Sequence, residues 1–428
     1  MYNRDDMRIR YLSLTNFRNY ARLELTLPEE PLLLYGGNAQ GKTSLLEAMT
    51  MLAAGSSPLT SSDRELIRWQ SEADGLPYAR VWAELERRDR RLELEIALEK
   101  QTTANGSTRL HKSIRIDRSP KQQSDLSGKL NVVLFTPANV ELVSGSPSGR
   151  RRYLDSALCQ VDQPYAQALG SYTEALRQRN AALRHVRDEG GNPAQLAPFE
   201  RILAQSGVII ADRRREFIDG LSGRARRIHQ CLTGGAEWLR LDYQPNFDST
   251  APPMLRYQMG MDLQGLAARS ARGAASGGRG AGLGIDFDDL VAAYRQALVE
   301  RRSEEIARGV TVFGPHRDEV RFTAGSPALG THEVDLGTYG SRGQQRTAVL
   351  SVKLAELKWM REETRETPLL LLDEVLAELD QNRRAYLLEQ VHSVEQSILT
   401  ATDPEMFSRE FLERAIVWEV TGGIIQSG

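Results

Sequence analysis

Cysteine is almost missing. Cys159 and Cys231 are the only two among 428 residues, they lie far apart, and neither belongs to a C-x-x-C pair. That spacing argues against a disulfide framework or a cysteine zinc site and for a reducing compartment. No run approaches the ~18 apolar residues of a membrane span, so no membrane partner is expected. Residues 1–6 are polar and lack an apolar signal core, so a cytoplasmic location is expected. Net charge is nearly absent too, at −2, so total charge gives no argument for nucleic acid and clustering of arginine must be read instead. What remains, 40% hydrophobic and 26% charged, is ordinary globular composition with room for two or three domains.

One stretch organises the rest. Gly36-Gly37-Asn38-Ala39-Gln40-Gly41-Lys42-Thr43 is G-x-x-x-x-G-K-T, the phosphate-binding loop pattern. Leu32-Leu33-Leu34-Tyr35 precedes it, apolar without alternation, and reads as a buried parallel strand. Leu45, Leu46, Ala48, Met49 and Leu52 follow at helical spacing, with Gly55 as a C-cap. Strand, glycine loop and helix is the context the motif needs. The two outer glycines let backbone approach phosphates, and the helix N-terminus favours an anion. Lys42 is expected on the β/γ-phosphates of ATP, and the Thr43 hydroxyl on Mg²⁺. Ser44 completes the expected nucleotide contacts.

Upstream, Arg8 to Leu14 and Leu23 to Leu27 read as strands. The loop between them, Asn16-Phe17-Arg18-Asn19-Tyr20, either holds base or phosphates through Arg18 and Asn19, or is a hairpin turn over a buried Phe17. Val81 to Glu86, Arg91 to Leu98 and His111 to Ile116 look like three antiparallel strands of a small β lobe, and Val132 to Phe135 like another core strand. From Asp155 to about Val186 the chain is helical, with Leu169, Tyr172, Leu176, Leu183 and Val186 forming a short seam. Gly190-Gly191-Asn192-Pro193 breaks it, and a second helix runs from Phe199 to about Leu232. The pair predicts a projecting helical hairpin. Residues 201–230 carry seven Arg against three Asp/Glu. Arg213, Arg214 and Arg215 there are either a solvated helix face or a DNA phosphate-tracking surface. Residues 265–284 read as a flexible loop. Asp286 to Ala307 reads as helix, and Val310 to Phe313 as a strand leading into Gly314-Pro315-His316-Arg317-Asp318.

A second half-site comes late. Ser341-Arg342-Gly343-Gln344 opens a long helix, an anion site at a helix N-terminus. It cannot serve the phosphate end that Lys42 covers, so it suits a second subunit's nucleotide. Leu369-Leu370-Leu371-Leu372-Asp373-Glu374 is a buried strand ending in two acids. Asp373 is expected to hold Mg²⁺ through water, and Glu374 to act as general base toward the attacking water. Gln396 to Thr400 is the next strand, after which Thr402 sits where a γ-phosphate can be sensed. Ile416 to Val420 is the last strand.

Phosphate loop, late S-x-G-Q-Q-R and L-L-L-D-E, interrupted by a helical arm, resemble an ABC/SMC-type ATPase head. The fuller set resembles the RecF family of bacterial recombination mediators: Asn16 to Tyr20, Arg64-Glu65-Leu66-Ile67-Arg68, Phe135-Thr136-Pro137, Arg150-Arg151-Arg152-Tyr153-Leu154-Asp155, Gly314 to Asp318, Gly343 to Thr347 and Leu371 to Asp380, in the family's order over nearly the whole chain. The resemblance implies an α/β fold: an ABC/SMC-type head from residues 1–150 and 308–428, holding a mixed sheet and an antiparallel β lobe, and an α-helical arm over 151–307. It implies a weak, DNA-stimulated, Mg²⁺-dependent ATPase. ATP binding would close a homodimer around double-stranded, single-stranded or junction DNA on the nucleoid, and hydrolysis would reopen it. It further implies RecR and RecO as partners in loading RecA at gaps. Three departures stand out. Leu59 takes the place of a family Arg, the segment from Phe135 to Val143 has no Gln and only Asn139 as an amide, and Thr400 and Thr402 stand where transporters carry a switch His. An SMC-type chromosome protein would need a coiled coil of hundreds of residues, and a transporter subunit its switch His. A small-molecule kinase would leave the S-x-G-Q turn and the arm unexplained.

Overall fold

The computed structural model describes residues 7–60, 62–73, 75, 77–87, 90–102, 108–247, 287–326 and 333–427. The expected loop at 265–284 lies outside them.

The central sheet is built from strands that show no polar alternation because both of their faces are buried. β3 (Leu32–Tyr35), β8 (Val132–Phe135), β12 (Leu369–Asp373), β13 (Ser397–Ala401), β14 (Ile416–Thr421) and β15 (Ile424–Ser427) lie in the order β15-β14-β3-β13-β12-β8. All neighbours are parallel except the terminal hairpin of β14 and β15. Successive side chains of a strand point to opposite faces, and the leucines divide accordingly. Leu32, Leu34, Leu369 and Leu371 join one core with helix α1 (Lys42–Ala54) and an antiparallel sheet. Leu33, Leu370, Leu372 and Leu399 join a second core with the arm.

The antiparallel sheet takes in more of the chain than expected. β1 (Met7–Phe17), β2 (Tyr20–Thr26), β4 (Tyr78–Arg87), β5 (Arg90–Thr102), β6 (Thr108–Ile116) and β7 (Ser119–Lys121) form one sheet, ordered β2-β1-β4-β5-β6-β7. Leu92, Leu94, Ile96 and Leu98 of β5 point inward and are buried. Its outward Glu95 is paired with Arg80 and Arg115, and Glu93 with Arg118. The outer face is thus a ladder of self-neutralised charges.

The arm consists of α2 (Pro147–Val161), α3 (Gln163–Glu189), α4 (Ala197–Leu232), α5 (Phe287–Glu300) and α6 (Arg302–Arg308). The expected single helix from Asp155 to Val186 is two, because Asp162 leaves the helical conformation and caps α3 by accepting from Tyr165 N. The arm does not project freely. α4 packs along α7 (Arg342–Thr364), with the Phe217 and Trp359 rings edge-to-face at 4.4 Å, so arm and head share one core. β9 (Trp238–Gln244), a strand the sequence reading did not foresee, follows α4 and pairs with β10 (Glu319–Gly325), which also pairs with β11 (Glu333–Asp335).

The segment Val310 to Phe313 is not a strand. Val310 N donates to the Glu305 carbonyl at 3.2 Å, and side chains take the next N–H groups: Thr311 N donates to Asn180 Oδ1 and Val312 N to Glu305 Oε1, and beyond the segment Gly314 N donates to Asn246 Oδ1, each at 2.8 Å. The Gly314 to Asp318 motif that follows is the joint between arm and head. Asp318 is buried and accepts from Arg214 Nη1 at 2.9 Å, from the Tyr243 hydroxyl and from Asn246 N at 2.8 Å. Arg214 Nη2 also donates to Asp155 at 2.7 Å, and its Nη1 to the Pro315 carbonyl at 2.7 Å. His316 Nε2 faces the Thr311 carbonyl at 3.0 Å, and Nδ1 faces the Tyr172 hydroxyl at 2.7 Å. A carbonyl only accepts, so the proton sits on Nε2 and Nδ1 accepts from Tyr172.

Burial, with Arg317, Arg151 and Arg214 nearby, pushes the His316 pKa down to about 4. The unfolded chain takes up this proton near 6.5, whereas the folded chain does so only near 4. Acidification across that window therefore favours unfolding. Between pH 6.5 and 4 the wild type is expected to lose up to about 3 kcal/mol more stability than His316→Gln, measured by urea unfolding at stepped pH.

Candidate functional site

The phosphate loop sits at the carboxyl ends of the parallel strands, where open α/β sheets bind ligands. Two glycines are obligatory. A Cβ on Gly36 (φ 149°) would lie 2.3 Å from the Val420 carbonyl oxygen, and one on Gly41 (φ 117°) would lie 2.6 Å from Asn19 Nδ2. The loop is clasped from both ends of the chain. Asn19 Nδ2 donates to the Gln40 carbonyl at 3.0 Å and the Tyr20 hydroxyl to the Gly41 carbonyl at 3.0 Å. Gly422 N donates to Gln40 Oε1 at 2.6 Å and Gly423 N to the Gln40 carbonyl at 3.0 Å. No side chain caps α1 at Gly41, so the N–H groups of its first turn face a concavity of about 970 Å³. That is an anion site.

Lys42 is 3% exposed. Its ammonium donates to the Gly36 and Gly37 carbonyls at 2.6 and 2.8 Å and pairs with Glu374 at 3.1 Å. The Thr43 hydroxyl donates to both Asp373 oxygens at 2.9 and 3.0 Å. Strand order makes this possible: β13 lies between β3 and β12, and Asp373 is in register with Thr400. The Thr400 hydroxyl donates to Asp373 Oδ1 at 2.8 Å and accepts from Glu374 N at 3.0 Å. Glu374 lies just past the strand in the left-handed conformation (φ 52°), which turns it towards Lys42. Burial raises the Asp373 pKa, and the Thr400 and Thr43 hydroxyls offset part of that rise. Among the described residues no three His, Cys, Asp or Glu converge into a metal cage. One carboxylate and one hydroxyl, both hard oxygen donors, instead suit Mg²⁺, which takes its other ligands from phosphates and water.

Of the expected contacts, Asn38, Ala39, Gln40, Ser44, Arg18 and Asn19 all line the concavity. The Arg18 guanidinium is committed to Glu47, with two bonds of 2.7 Å, so its visible work is to tie the first hairpin to α1. Thr402 is exposed, and the threonine that engages the acids is Thr400.

Ser341, Gly343 and Gln344 border a different concavity, of about 730 Å³, with Asp380 and Glu237. Ser341 and Arg342 are exposed. Ser341 and Gln344 form a reciprocal capping box at the start of α7, and Gln344 Nε2 donates to Glu237 Oε1 at 2.8 Å. Glu237 comes from the turn between α4 and β9, so the arm fixes the glutamine of the late turn.

The arginine triplet divides. Arg214, an expected DNA contact, is 2% exposed and bound to Asp155 and Asp318. Phosphate cannot reach it, so it belongs to the joint rather than to a DNA surface. Arg213 is half-exposed and paired with Asp162 and Glu216, and Arg215 lies over the Tyr243 ring. The sequence reading missed Glu47, Glu237, Thr400 as the bridge between the acids, and the Gln40 clasp. None of these pairings leaves a local pattern, because the Gln40–Gly422 contact alone spans 382 positions.

Residues 8–422 match the family described as RecF/RecN/SMC N terminal domain. The DNA replication and repair protein RecF of Chloroflexus aurantiacus is 40% identical over 99% of this chain and 100% of its own length. That of Roseiflexus castenholzii is 38% identical over 97% and 99%. A solved structure described as "Structure of the recombination mediator protein RecF-ATPrS in RecFOR pathway" covers 100% of both chains at 26% identity with a TM-score of 0.77.

Thr400→Val removes the hydroxyl shared by Asp373 and Glu374. Nucleotide affinity in the presence of Mg²⁺ is expected to fall about 10- to 100-fold, the usual loss for a partner of a metal ligand. Affinity without Mg²⁺ should be unchanged, as read by titration calorimetry.

Proposed function

The chain belongs to the RecF family, with the fold of an ABC/SMC-type ATPase head, and from that premise we propose that it is an ATP-driven DNA clamp. Two copies close face to face on DNA with ATP between them, and hydrolysis reopens them. One observation carries the reading. The phosphate-loop concavity holds no residue of the Ser341–Gln344 turn, which lies exposed on a separate concavity of the same chain. Each half-site lacks the donors that the other presents, and a second copy supplies them.

In this reading Lys42 exchanges the Gly36 and Gly37 carbonyls and Glu374 for the β/γ-phosphate oxygens of ATP. Thr43 and Asp373 hold Mg²⁺, which neutralises phosphate charge. Glu374, freed from Lys42, takes the proton of the attacking water. Ser341, Gly343 and Gln344 reach the nucleotide of the other copy. Slow turnover alone and stimulation by DNA follow, because the site is complete only in the dimer. RecR and RecO as partners, RecA loading at gaps and a working place on the cytoplasmic nucleoid rest on the family resemblance. A relative described as a recombination mediator with ATP supports the nucleotide, and affinity for DNA that falls steeply with salt is expected of phosphate contacts.

Sedimentation with and without ATP and DNA tests the clamp, and a chain that stays monomeric at saturating ATP and DNA counts against it. Glu374→Gln should bind ATP, lose hydrolysis and accumulate as a closed dimer. Ser341→Arg should keep monomer ATP affinity and lose dimerisation, and a loss of ATP affinity instead would contradict action across the interface.

A further inference from the structure

We infer that Trp69 is the wall against which the nucleobase stacks. This deepens the nucleotide reading proposed above and rests on it. Trp69 is 78% exposed, the highest value among the large apolar side chains described. An indole left in water forgoes the burial that makes aromatic residues effective in cores and sites. It lines the same concavity as Gly41, Lys42 and Thr43.

At the phosphate-loop end that concavity presents N–H groups, the Lys42 ammonium and the Thr43 hydroxyl. The segment from Arg64 to Gln70 lines it with the charged or polar Arg64, Glu65, Arg68 and Gln70 and with two apolar side chains, Ile67, which is 4% exposed, and Trp69. Among the described residues that line it, Trp69 is the one aromatic side chain. A volume of about 970 Å³ is near the upper end of the ~300–1,000 Å³ typical of sites for drug-sized ligands. A nucleoside triphosphate offers an anionic tail to the phosphate loop and a flat aromatic head to the indole.

The backbone that carries the indole is also held in place. Arg18 N donates to the Leu66 carbonyl and Arg68 N to the Asn16 carbonyl, both at 2.8 Å, and Phe17 and Ile67 form a β-bridge. The Ser71 hydroxyl donates to the Arg68 carbonyl at 2.6 Å. The backbone on either side of Trp69 is thereby pinned at the rim of the concavity. The hairpin loop that clasps the phosphate loop through Asn19 and Tyr20 thus also fixes the aromatic wall. Stacking accepts any flat base, so this wall predicts binding of both ATP and GTP and places discrimination elsewhere.

The test uses the full chain, with ATP and inorganic tripolyphosphate as probes in titration calorimetry. Trp69→Ala should weaken ATP binding about tenfold to a hundredfold, the range of one lost stacking contact, and leave tripolyphosphate affinity unchanged. Trp69→Phe should restore most of the loss. In the wild type, ATP but not tripolyphosphate should quench tryptophan fluorescence, and the quench should vanish in Trp69→Phe. Unchanged ATP affinity in Trp69→Ala overturns the inference. Equal weakening of ATP and tripolyphosphate also overturns it, because the indole then supports the loop instead of touching the base. Loss of DNA affinity with ATP affinity intact assigns Trp69 to DNA and overturns it as well. Lys42→Ala in parallel separates the two readings. If it loses both probes while Trp69→Ala loses neither, only the base wall falls; if it keeps both, the phosphate-loop reading itself falls.

Discussion

The bond from the Thr43 hydroxyl to the Asp373 carboxylate joins residues 330 positions apart, and the rest of the molecule is arranged so that it can form. Thr43 must sit in the first turn of α1, and Asp373 must end a strand two places away in the sheet. β13 must lie between them so that Thr400 can reach across. That order turns the chain between β3 and β12 into two excursions, separated by β8 and with the arm in the second. Both faces of the sheet are then covered, which is why its strands carry leucine on both sides. The carboxylate itself is costly to bury. Two hydroxyl donors hold it, and it leaves open oxygen ligation where a divalent cation fits.

The arm is attached to this core by polar chemistry as much as by packing. Arg214 binds Asp155 from α2 and Asp318 from the motif before β10, while Tyr243 of β9 adds its hydroxyl. A buried ion pair of this kind adds little net stability over an apolar substitute, but losing one partner strands the other. Its value lies in geometry: it ties α4 to α2 and to the motif before β10. The same long helix ends at the turn that carries Glu237, whose carboxylate holds Gln344. The arm and the late glycine turn are therefore joined by a short chain of contacts.

Much of this was legible in the sequence, for physical reasons that can be named. Leu32 to Tyr35 and Leu369 to Asp373 read as buried strands because burial on both faces leaves an uninterrupted apolar run. The phosphate loop was legible because glycine is required where a Cβ would strike Val420 or Asn19. What failed was decided at long range. Val310 to Phe313 has strand-like residues, yet the Thr311 and Val312 N–H groups found side-chain acceptors at Asn180 and Glu305. Arg214 looks like its neighbours Arg213 and Arg215, and only carboxylates 59 and 104 positions away bury it. Thr402 and Thr400 look alike in sequence. The register of β13 on β12 selects Thr400.

Gln40 is gripped by Gly422 and Gly423, and the β1 backbone at Ile9 by the Gln396 side chain across 387 positions. A polypeptide emerging from the ribosome therefore exposes its glycine motif early, yet the clasp on Gln40 has to wait for residues 422 and 423. A nascent chain that stalls before residue 420 lacks that half of the clasp.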